Sequence, residues 1–395
     1  AVNGPVNLNR LSTICNRTDR PELMYEPLIP GMPEALRTEQ SIFSVLRKQN
    51  VLLQHPYQSF APVVDFICAA AADPNVLAIK QTLYRTGSNS PIVEHLINAA
   101  RNGKEVTVVV ELMARFDEAE NISSASRLQE AGAHVVYGLV GYKTHSKMSM
   151  VVRREQDGIK RYVHLGTGNY HPGTTRVYTD YGYLSSNKNL GEDVHKVFMQ
   201  LTSLTEATDL VKILTAPFHL FDAMIGKIDR EISYANEGKP ARVIAKLNAL
   251  IEPQIIDKLY EASAAGVKVD LIVRGICSLR PGVAGLSENI HIRSIIGRFL
   301  EHSRVYYFLN DGDEEYFCAS ADWMDRNFFR RNETCFPIKQ KPLKERLRAD
   351  LELFLDDNTD AWVLQGDGHY ERQMPGENEP VSAQRQFLES LSAPA

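Results

Sequence analysis

Apolar and polar positions along the chain follow two alternating spacings, and each change of spacing marks a new element. From Asn75 onward, NVLAIKQTLYRT predicts a short buried strand, SPIVEHLINAARNG an amphipathic helix that stops at Gly103, and EVTVVVEL a second strand. SASRLQEAGAHVVYGL then predicts another helix, a stop at Gly132 and another strand. Strands that alternate with amphipathic helices indicate parallel α/β units.

The same order of elements returns about 165 residues further on, in ARVIAKLNALIEPQIIDKLYEASAAGVKVDLIVRGI. The stretch IVEHLINAARNGKEVTVVVEL lies over IIDKLYEASAAGVKVDLIVRG without a gap, with Gly266 as the second stop. A duplicated unit of this size predicts an α/β fold made of two similar domains in tandem. The alternative is that any two strand–helix–strand units look alike.

Proline and polar segments mark the limits of these domains. Three prolines from Pro27 to Pro33 prevent a helix or a central strand, so we predict a linker that ends near Gly31. The expected division is a preceding segment over 1–31, a first domain over 32–212 and a second domain over 213–395. LKERLRADLELFLDDNTDAW and QRQFLESL predict two closing helices, which we expect to form a cap on the second domain.

Each unit continues into a histidine followed two places later by a basic residue. The first has His145 and Lys147, the second has His302 and Arg304, and each pair enters an alternating strand. Because side chains on a strand repeat every two residues, both members of a pair are expected on one face, where they converge on an anion. A neutral imidazole can attack phosphorus while the cation neutralises the equatorial oxygens. One such pair alone is typical of a surface strand, but two at matching places indicate a site.

Further polar residues fall at the ends of predicted strands. The turn Gly166-Thr-Gly-Asn169 follows the first pair, and Ala319-Ser-Ala-Asp322 follows the second. Three arginines each follow a buried strand, where the carboxyl ends of parallel strands line a ligand crevice: Arg85, Arg115 and Arg274. Their planar donors suit a polyphosphate, although arginines also extend to solvent at sheet edges. Tyr178 offers a ring for a nucleotide or, alternatively, for core packing.

Composition and charge exclude several classes of protein for this chain. The 395 residues are 44% hydrophobic and 24% charged, as in an ordinary globular chain, and no apolar run approaches the about 18 residues of a transmembrane helix. With 44 basic and 49 acidic side chains the net charge is −5, so no overall field predicts nucleic-acid binding. Five scattered cysteines without CxxC spacing predict reduced thiols in a cytoplasmic protein rather than disulfides or zinc.

His-x-Lys followed by Gly-Thr-Gly-Asn resembles the signature of the phospholipase D superfamily. That resemblance implies two phospholipase D-like domains related by a pseudo-twofold axis, with one phosphoryl-transfer site in the cleft between them. The superfamily has an Asp five residues after the Lys, whereas this chain has Val152 there and Leu309 in the second half. The departure puts phosphodiester chemistry in doubt.

A closer resemblance, over nearly the whole chain, is to the histidine-dependent type 1 polyphosphate kinases. It is carried by KQTLYRTGSNSPIV, VELMARFDEAENI, YGLVGYKTHSKMSMVVRRE, HLGTGNYHPGTTRVYTDYG, SADWMDRNFFRRNE and the HSR triplet. The family implies reversible transfer of the γ-phosphate of ATP to inorganic polyphosphate through a phosphohistidine, with Mg²⁺. It also implies a homo-oligomer of the full-length protein and a cytoplasmic location, with membrane association left open.

The resemblance also implies roles for particular residues. The phosphohistidine falls on His145, and the nucleotide contacts fall on Tyr178, Arg274 and His302. The Mg²⁺ and phosphate site falls on Arg85 and Arg115, which we expect to act through phosphate oxygens or waters because an arginine cannot ligate Mg²⁺. We expect Lys147 to neutralise charge during transfer and His302 to have a catalytic role as well, in protonating or holding the leaving oxygen or in binding the nucleotide phosphates. We assign phosphate binding to three further residues: Asn169, Arg304 and Arg331. For Arg331, a solvated face is the alternative.

Two other functions compete with the kinase hypothesis. A phosphodiesterase would need no ATP, and a non-catalytic module would bind polyanions without forming a covalent adduct. The family implies a helical domain and a head domain before the two halves, and the opening AVNGPVNLNR has no Met. We therefore expect this chain to keep the site but to show weakened or lost turnover.

Overall fold

The computed structural model describes most of the chain, namely residues 13–14, 19–38, 40–85, 87, 89–112, 118–139, 141–203 and 206–393. Arg115, which the sequence analysis assigns to the phosphate site, and Cys15, one of the five cysteines, lie outside these ranges. The four cysteines that are described, at 68, 277, 318 and 335, are free thiols. No helix in the described ranges combines the length and apolar character that would let it cross a lipid bilayer.

The first domain is one mixed sheet covered by helices. Its elements are α1 (Ile42–Lys48), β1 (Val51–His55), α2 (Ala61–Ala72), β2 (Val76–Leu83), α3 (Pro91–Arg101), β3 (Glu105–Val110), α4 (Glu118–Glu130), β4 (His134–Val136), β5 (Lys143–Thr144), β6 (Lys147–Glu155), β7 (Gly158–Gly166), β8 (Tyr178–Ser185) and α5 (Lys188–Ser203). The strand order is β1-β8-β7-β6-β2-β3-β4. The first predicted strand pairs in parallel with the second, and the second with the third. The strand after the histidine adds on antiparallel.

The second domain repeats this plan. Its elements are β9 (Leu214–Ala216), α6 (Leu220–Asn236), β10 (Arg242–Leu247), α7 (Pro253–Ala264), β11 (Lys268–Val273), β12 (Ile290–Ile295), β13 (Leu300–Glu301), β14 (Arg304–Phe308), β15 (Glu315–Ala319), α8 (Asp325–Phe329), β16 (Arg331–Pro337), α9 (Lys341–Asp356), β17 (Ala361–Leu364), β18 (Tyr370–Arg372) and α10 (Ala383–Leu391). The path β12-β11-β10-β14-β15-β16 with β9 at its end matches the first sheet strand for strand. The predicted fold class, two tandem α/β domains, is confirmed.

Local sequence signals explain why the elements begin and end where they do. Gly103 and Gly266 end equivalent helices with φ of 78° and 94°, a left-handed conformation that glycine adopts without a steric penalty. Ser41 caps α1 by accepting a hydrogen bond from the Ser44 amide at 3.3 Å. Ser59 lies one residue before Phe60, the N-cap of α2, and its hydroxyl accepts from the Ala61 amide at 3.0 Å.

The two domains exchange one short strand each. β13 of the second domain pairs in parallel with β8 of the first, and β5 of the first pairs in parallel with β16 of the second. Each exchanged strand immediately precedes one of the two site histidines. The exchange therefore carries each histidine to the border between the domains.

A shared apolar core joins the domains. Leu52 and Tyr183 of the first domain lie in one buried cluster with Phe336 and Phe354 of the second. Burial of a side chain such as Phe354, which is 2% exposed, stabilises the fold by about 1.5–3 kcal/mol. The arrangement resists independent movement of the two sheets.

The closing helices take part in this junction. The Arg346 guanidinium of α9 donates to the Leu52 carbonyl of β1 at 2.8 Å, and the Tyr181 hydroxyl of β8 donates to Asp350 of α9 at 2.7 Å. The expected C-terminal cap therefore also contacts the first domain, through α9. The domain limits given above stay predictions.

Candidate active site

The two site histidines lie just before strands, not on them. His145 follows β5, and Lys147 opens β6; His302 follows β13, and Arg304 opens β14. The expectation that each histidine lies on a strand is therefore wrong, but the side chains of each pair still lie side by side: Arg304 Nη1 is 3.3 Å from His302 Nε2, and His145 and Lys147 both pack on the Tyr84 ring. Each cation also contacts the backbone, because Lys147 Nζ donates to the His145 carbonyl and Arg304 donates to the His302 carbonyl.

His145 is held by a carboxylate of the other domain. Its ring Nδ1 donates to Glu333 Oε2 at 2.9 Å, and Glu333 lies on β16. The Ser320 hydroxyl also donates to that carboxylate, and Asn327 Nδ2 donates to its second oxygen at 2.6 Å. Because a carboxylate can only accept hydrogen bonds, its contact with the ring assigns the hydrogen of His145 to Nδ1, which leaves the Nε2 lone pair available. The Tyr84 ring packs edge-on against the imidazole, with ring centroids 4.8 Å apart.

His302 has the equivalent arrangement in the other half. Its Nδ1 lies 2.9 and 2.8 Å from the two oxygens of Asp180, which belongs to β8 of the first domain. Burial alone would raise the pKa of Asp180, but the charge and hydrogen bond of His302 hold it below its usual value. Tyr178 packs against the His302 ring at 5.1 Å between centroids, and the assignment of both residues to the nucleotide stays a prediction.

The small-residue turns support these carboxylates. The Thr167 hydroxyl donates to Asp180 at 2.6 Å, and the Ser320 hydroxyl donates to Glu333. An added Cβ at Gly168 would lie 2.0 Å from Asp180 Oδ2, so the turn admits only glycine there unless the carboxylate moves.

Sequence reasoning missed both carboxylates, although a signal was present. In each half the turn hydroxyl is followed 13 residues later by the acidic residue, Asp180 in the first and Glu333 in the second. The same separation in both halves of a repeat indicates a shared function more strongly than either residue does alone.

The cations of the two halves differ in their charge balance. Arg304 forms a bidentate pair with Asp322, Nε to Oδ1 at 3.1 Å and Nη2 to Oδ2 at 2.9 Å. Among the described residues Lys147 has no such carboxylate partner, because Asn169 is the residue at the matching place in its turn. Asn169 is buried, and its Oδ1 accepts no hydrogen bond within the described residues. Phosphate binding by Arg304 and Asn169 stays a prediction, with most of the Arg304 donors already engaged.

The pKa values of the first pair reflect burial in a positive environment. Burial, together with the charges of Lys147, Arg331 and Arg304, lowers the pKa of His145 well below its usual value. Burial also lowers the pKa of Lys147 well below its ordinary range, against the attraction of Glu333. Burial raises the pKa of Glu333, against the same lysine. The site therefore presents a neutral imidazole, and an anion placed beside Lys147 would favour its charged form.

The structure brings most of the predicted arginines to this cleft. Arg331 opens β16 opposite Lys143, and its guanidinium makes no hydrogen bond or ion pair in the described ranges. Arg274 follows β11 and donates to the Glu301 carbonyl at 2.9 Å, directly before His302. Arg85 follows β2, half-buried, 5.7 Å from the centre of the Tyr84 ring. Arg115 lies outside the described residues, so its assignment stays a prediction.

The donor set does not suit a magnesium ion held by protein side chains. In the ranges described, no three His, Cys, Asp or Glu side chains gather around a common point. Three carboxylates beside the histidines are engaged with histidine or arginine: Asp180, Asp322 and Glu333. Arginine donors in this cleft fit phosphate oxygens rather than a metal.

Two tandem phospholipase D-like α/β domains, with two histidines oriented by exchanged carboxylates, define the class of this protein. Models of polyphosphate kinase C-terminal domains 1 and 2 match residues 41–207 and 213–384. The chain belongs to the polyphosphate kinase family. The place of the superfamily Asp is taken by Val152 on β6 and by Leu309 after β14.

Individual relatives agree with this assignment. The polyphosphate kinase of Pseudomonas aeruginosa is 55% identical over 394 residues, which cover 100% of this chain and 57% of that protein. The polyphosphate kinase of Neisseria gonorrhoeae is 56% identical over 379 residues, covering 96% and 55%. The crystal structure of polyphosphate kinase from Porphyromonas gingivalis matches with a TM-score of 0.86 and 34% identity, over 93% of this chain and 56% of that one. The chain thus spans about half the length of these relatives.

One more distant structure shares the fold alone. Phosphatidylserine synthase from Haemophilus influenzae Rd KW20 matches with a TM-score of 0.52 and 11% identity, over 87% of this chain and 92% of that one.

Proposed function

We propose that this chain carries the phosphoryl-transfer site of an ATP:polyphosphate phosphotransferase that works through a phosphohistidine at His145. The observation that carries the proposal is the hydrogen bond from His145 Nδ1 to Glu333 across the domain border. It fixes the tautomer with a lone pair on Nε2, and burial keeps the ring neutral.

In the first step, Nε2 of His145 attacks the γ-phosphorus of ATP in line. A nitrogen–phosphorus bond forms, the bond from phosphorus to the bridging oxygen breaks, and ADP leaves with the electron pair. Lys147 and Arg331 counter the charge on the transferring oxygens. Glu333 stabilises the positive charge that develops on the ring. Protein catalysis here consists mainly of positioning and charge neutralisation.

The facing half suits nucleotide binding. Arg304 is neutralised by Asp322, so the second pair holds less unbalanced positive charge than the first. Tyr178 supplies a ring beside His302, and Arg274 adds donors from the end of β11. We infer that Tyr178, His302 and Arg274 hold the nucleotide while His145 accepts the phosphoryl group. Mg²⁺ enters with the phosphates of the nucleotide, since it is usually bound through phosphates and waters in kinase sites.

In the second step, a terminal phosphate oxygen of polyphosphate attacks the phosphohistidine, and Nε2 recovers its lone pair. The same steps in reverse would make ATP from ADP. The polyphosphate and nucleotide partners, the homo-oligomer and the cytoplasmic location stay proposals with this function.

Labelling with γ-labelled ATP tests the proposal. The chain should acquire an acid-labile, alkali-stable adduct that His145→Ala lacks. His134→Ala, which removes an exposed histidine of β4, is the matched control and should label like the unchanged chain. An adduct that persists in His145→Ala would contradict the mechanism. Polyphosphate binding without any adduct would identify a non-catalytic binding module instead.

A further inference from the structure

A basic cavity of about 410 Å³ lies at the border of the two domains, away from the histidines. Its cationic lining comes from α1, from β7, from the segment before β9 and from the segment after β16. The five cations are Arg47, Lys48, Lys160, Lys212 and Lys339, and no residue that lines the cavity is acidic. In a chain with a net charge of −5, this is a local concentration of positive charge.

Most of these charges are not balanced by carboxylates. Arg47 pairs with Glu155 at 2.7 Å, and Lys48 donates to the amide oxygen of Gln40 at 3.1 Å. The ammonium groups of Lys160, Lys212 and Lys339 make no hydrogen bond or ion pair within the described part of the chain. The cavity therefore holds at least three cations that an anion could neutralise.

The cavity lies at the far end of the central strands from the reacting cleft. β16 begins at Arg331 beside His145 and ends at Pro337, which lines the cavity. Six residue steps of extended strand separate the two by about 20 Å. The cavity is thus a separate site, not an extension of the contacts around His145.

The first turn of α5 adds to the positive field. Ser186 and Asn187 line the cavity directly before this 16-residue helix, and Asn187 Oδ1 accepts from the Leu190 amide at 3.1 Å. A helix N-terminus carries a partial positive charge, which supplements the five cations.

The lining favours a linear phosphate polymer over a nucleic acid. Tyr183 is the sole aromatic residue of the lining; the residue is 3% exposed, and its ring is stacked on Phe336. Proteins that hold single-stranded nucleic acids present exposed aromatic faces for the bases. Cations without a stacking surface suit a ligand that consists of phosphate alone.

We propose that this cavity binds a segment of inorganic polyphosphate at a second site, remote from the reacting phosphate. The inference rests on the proposed function for its choice of ligand. A polyphosphate molecule held in this cavity would stay attached to the protein while its terminal phosphate reacts in the cleft at His145.

Residue-specific acetylation tests the site on the unaltered protein. Lysine reactivity is measured by mass spectrometry with polyphosphate, with orthophosphate and with ATP at equal total phosphate. Polyphosphate should protect Lys160, Lys212 and Lys339, and it should leave Lys258 and Lys268 unprotected. No protection, or equal protection by ATP or orthophosphate, would overturn the proposal.

Affinity measurements give a second test. Each phosphate that the protein neutralises makes the slope of log affinity against log salt concentration more negative by about 0.7. Loss of three such contacts makes the slope less negative by about 2, which corresponds to about two powers of ten in affinity between 1 M and 0.1 M salt. Lys160→Ala/Lys212→Ala/Lys339→Ala should therefore bind end-labelled polyphosphate about 100-fold more weakly at 0.1 M salt. The control that removes three other lysines, at 239, 258 and 268, makes the same change in net charge and should bind within threefold of the unchanged chain. Equal binding by the two triple variants would overturn the site.

Failure of the proposed function would be visible separately. The difference in adduct formation from ATP between the unchanged chain and His145→Ala reports on the transferase site and not on the cavity. Protection of the cavity lysines without an adduct would refute the transferase mechanism and leave the second site standing.

Discussion

Replacement of Glu333 by Gln keeps the size of the side chain and removes the negative charge beside His145. In the folded chain the two groups lie 2.9 Å apart, and both are buried. When Nε2 takes up a phosphoryl group, the ring becomes positively charged. At a separation of about 4 Å and an effective dielectric constant of about 20, the lost attraction is about 4 kcal/mol. That energy corresponds to about a thousandfold in rate.

The new amide can also change the tautomer of the ring. If its NH₂ group faces His145, Nδ1 becomes an acceptor, the hydrogen moves to Nε2 and attack is blocked. If the NH₂ group faces Asn327 instead, the Asn327 amide can turn, because its Oδ1 accepts no hydrogen bond among the described residues. The second arrangement keeps the reactive tautomer, so a thousandfold is the smaller of the two expected losses.

Rapid mixing with γ-labelled ATP in a single turnover measures this rate. Glu333→Gln should form the adduct about a thousandfold more slowly than the unchanged chain. Glu389→Gln, on the exposed face of α10, is the same substitution away from the site and should leave the rate unchanged. Thermal unfolding and nucleotide binding must be comparable in all three proteins. A Glu333→Gln rate within threefold of the unchanged chain would refute the assigned role of the carboxylate.

Three further predictions concern the supporting residues. Gly168→Ala should displace Asp180, whose Oδ2 would lie 2.0 Å from the new Cβ, and should slow turnover while costing about 1–3 kcal/mol in thermal unfolding. Asp322→Ala should cost about 3–5 kcal/mol in denaturant unfolding, because Arg304 would be left buried and unpaired; a loss below 1 kcal/mol would contradict this. Burial lowers the pKa of His164 to about 3 in the folded chain, whereas its ordinary value is 6.5. Between these pH values the unfolded chain therefore binds a proton that the folded chain does not, and the fold loses stability as the pH falls. His164→Phe should reduce this loss by about 1.4 kcal/mol per pH unit, and an unchanged acid-unfolding curve would show that the histidine is not buried in its neutral form.

The repeat could be predicted because its signals are local. Gly103 and Gly266 stop equivalent helices, and the apolar spacing around them is set by residues close in the chain. Ser59 shows the limit of such signals, since this serine directly before an apolar helical pattern does not cap α2, whose N-cap is Phe60. The position of α9 could not be predicted, because its contacts to Leu52 and Tyr181 depend on how the two domains meet.

The site was predictable only in part, for the same reason. His145 and His302 stand out through their basic neighbours two places on. Their carboxylate partners lie 188 and 122 residues away along the chain, on the opposite domain. Local pattern cannot connect residues so far apart, although the repeated 13-residue spacing from hydroxyl to carboxylate points to both.

The amino-acid sequence by itself determined two α/β units, their strand and helix periods, and the paired histidines and cations. The tertiary structure decided how these pairs differ. The exchange of β5 and β13 brought each histidine to a carboxylate of the other domain. Neutralisation of Arg304 by Asp322 left Lys147 as the cation without a matching carboxylate. The spacing of apolar residues that defines a helix or a strand depends on neighbours along the chain. Charge balance in a buried cleft depends instead on groups that only folding brings within a few ångströms of one another.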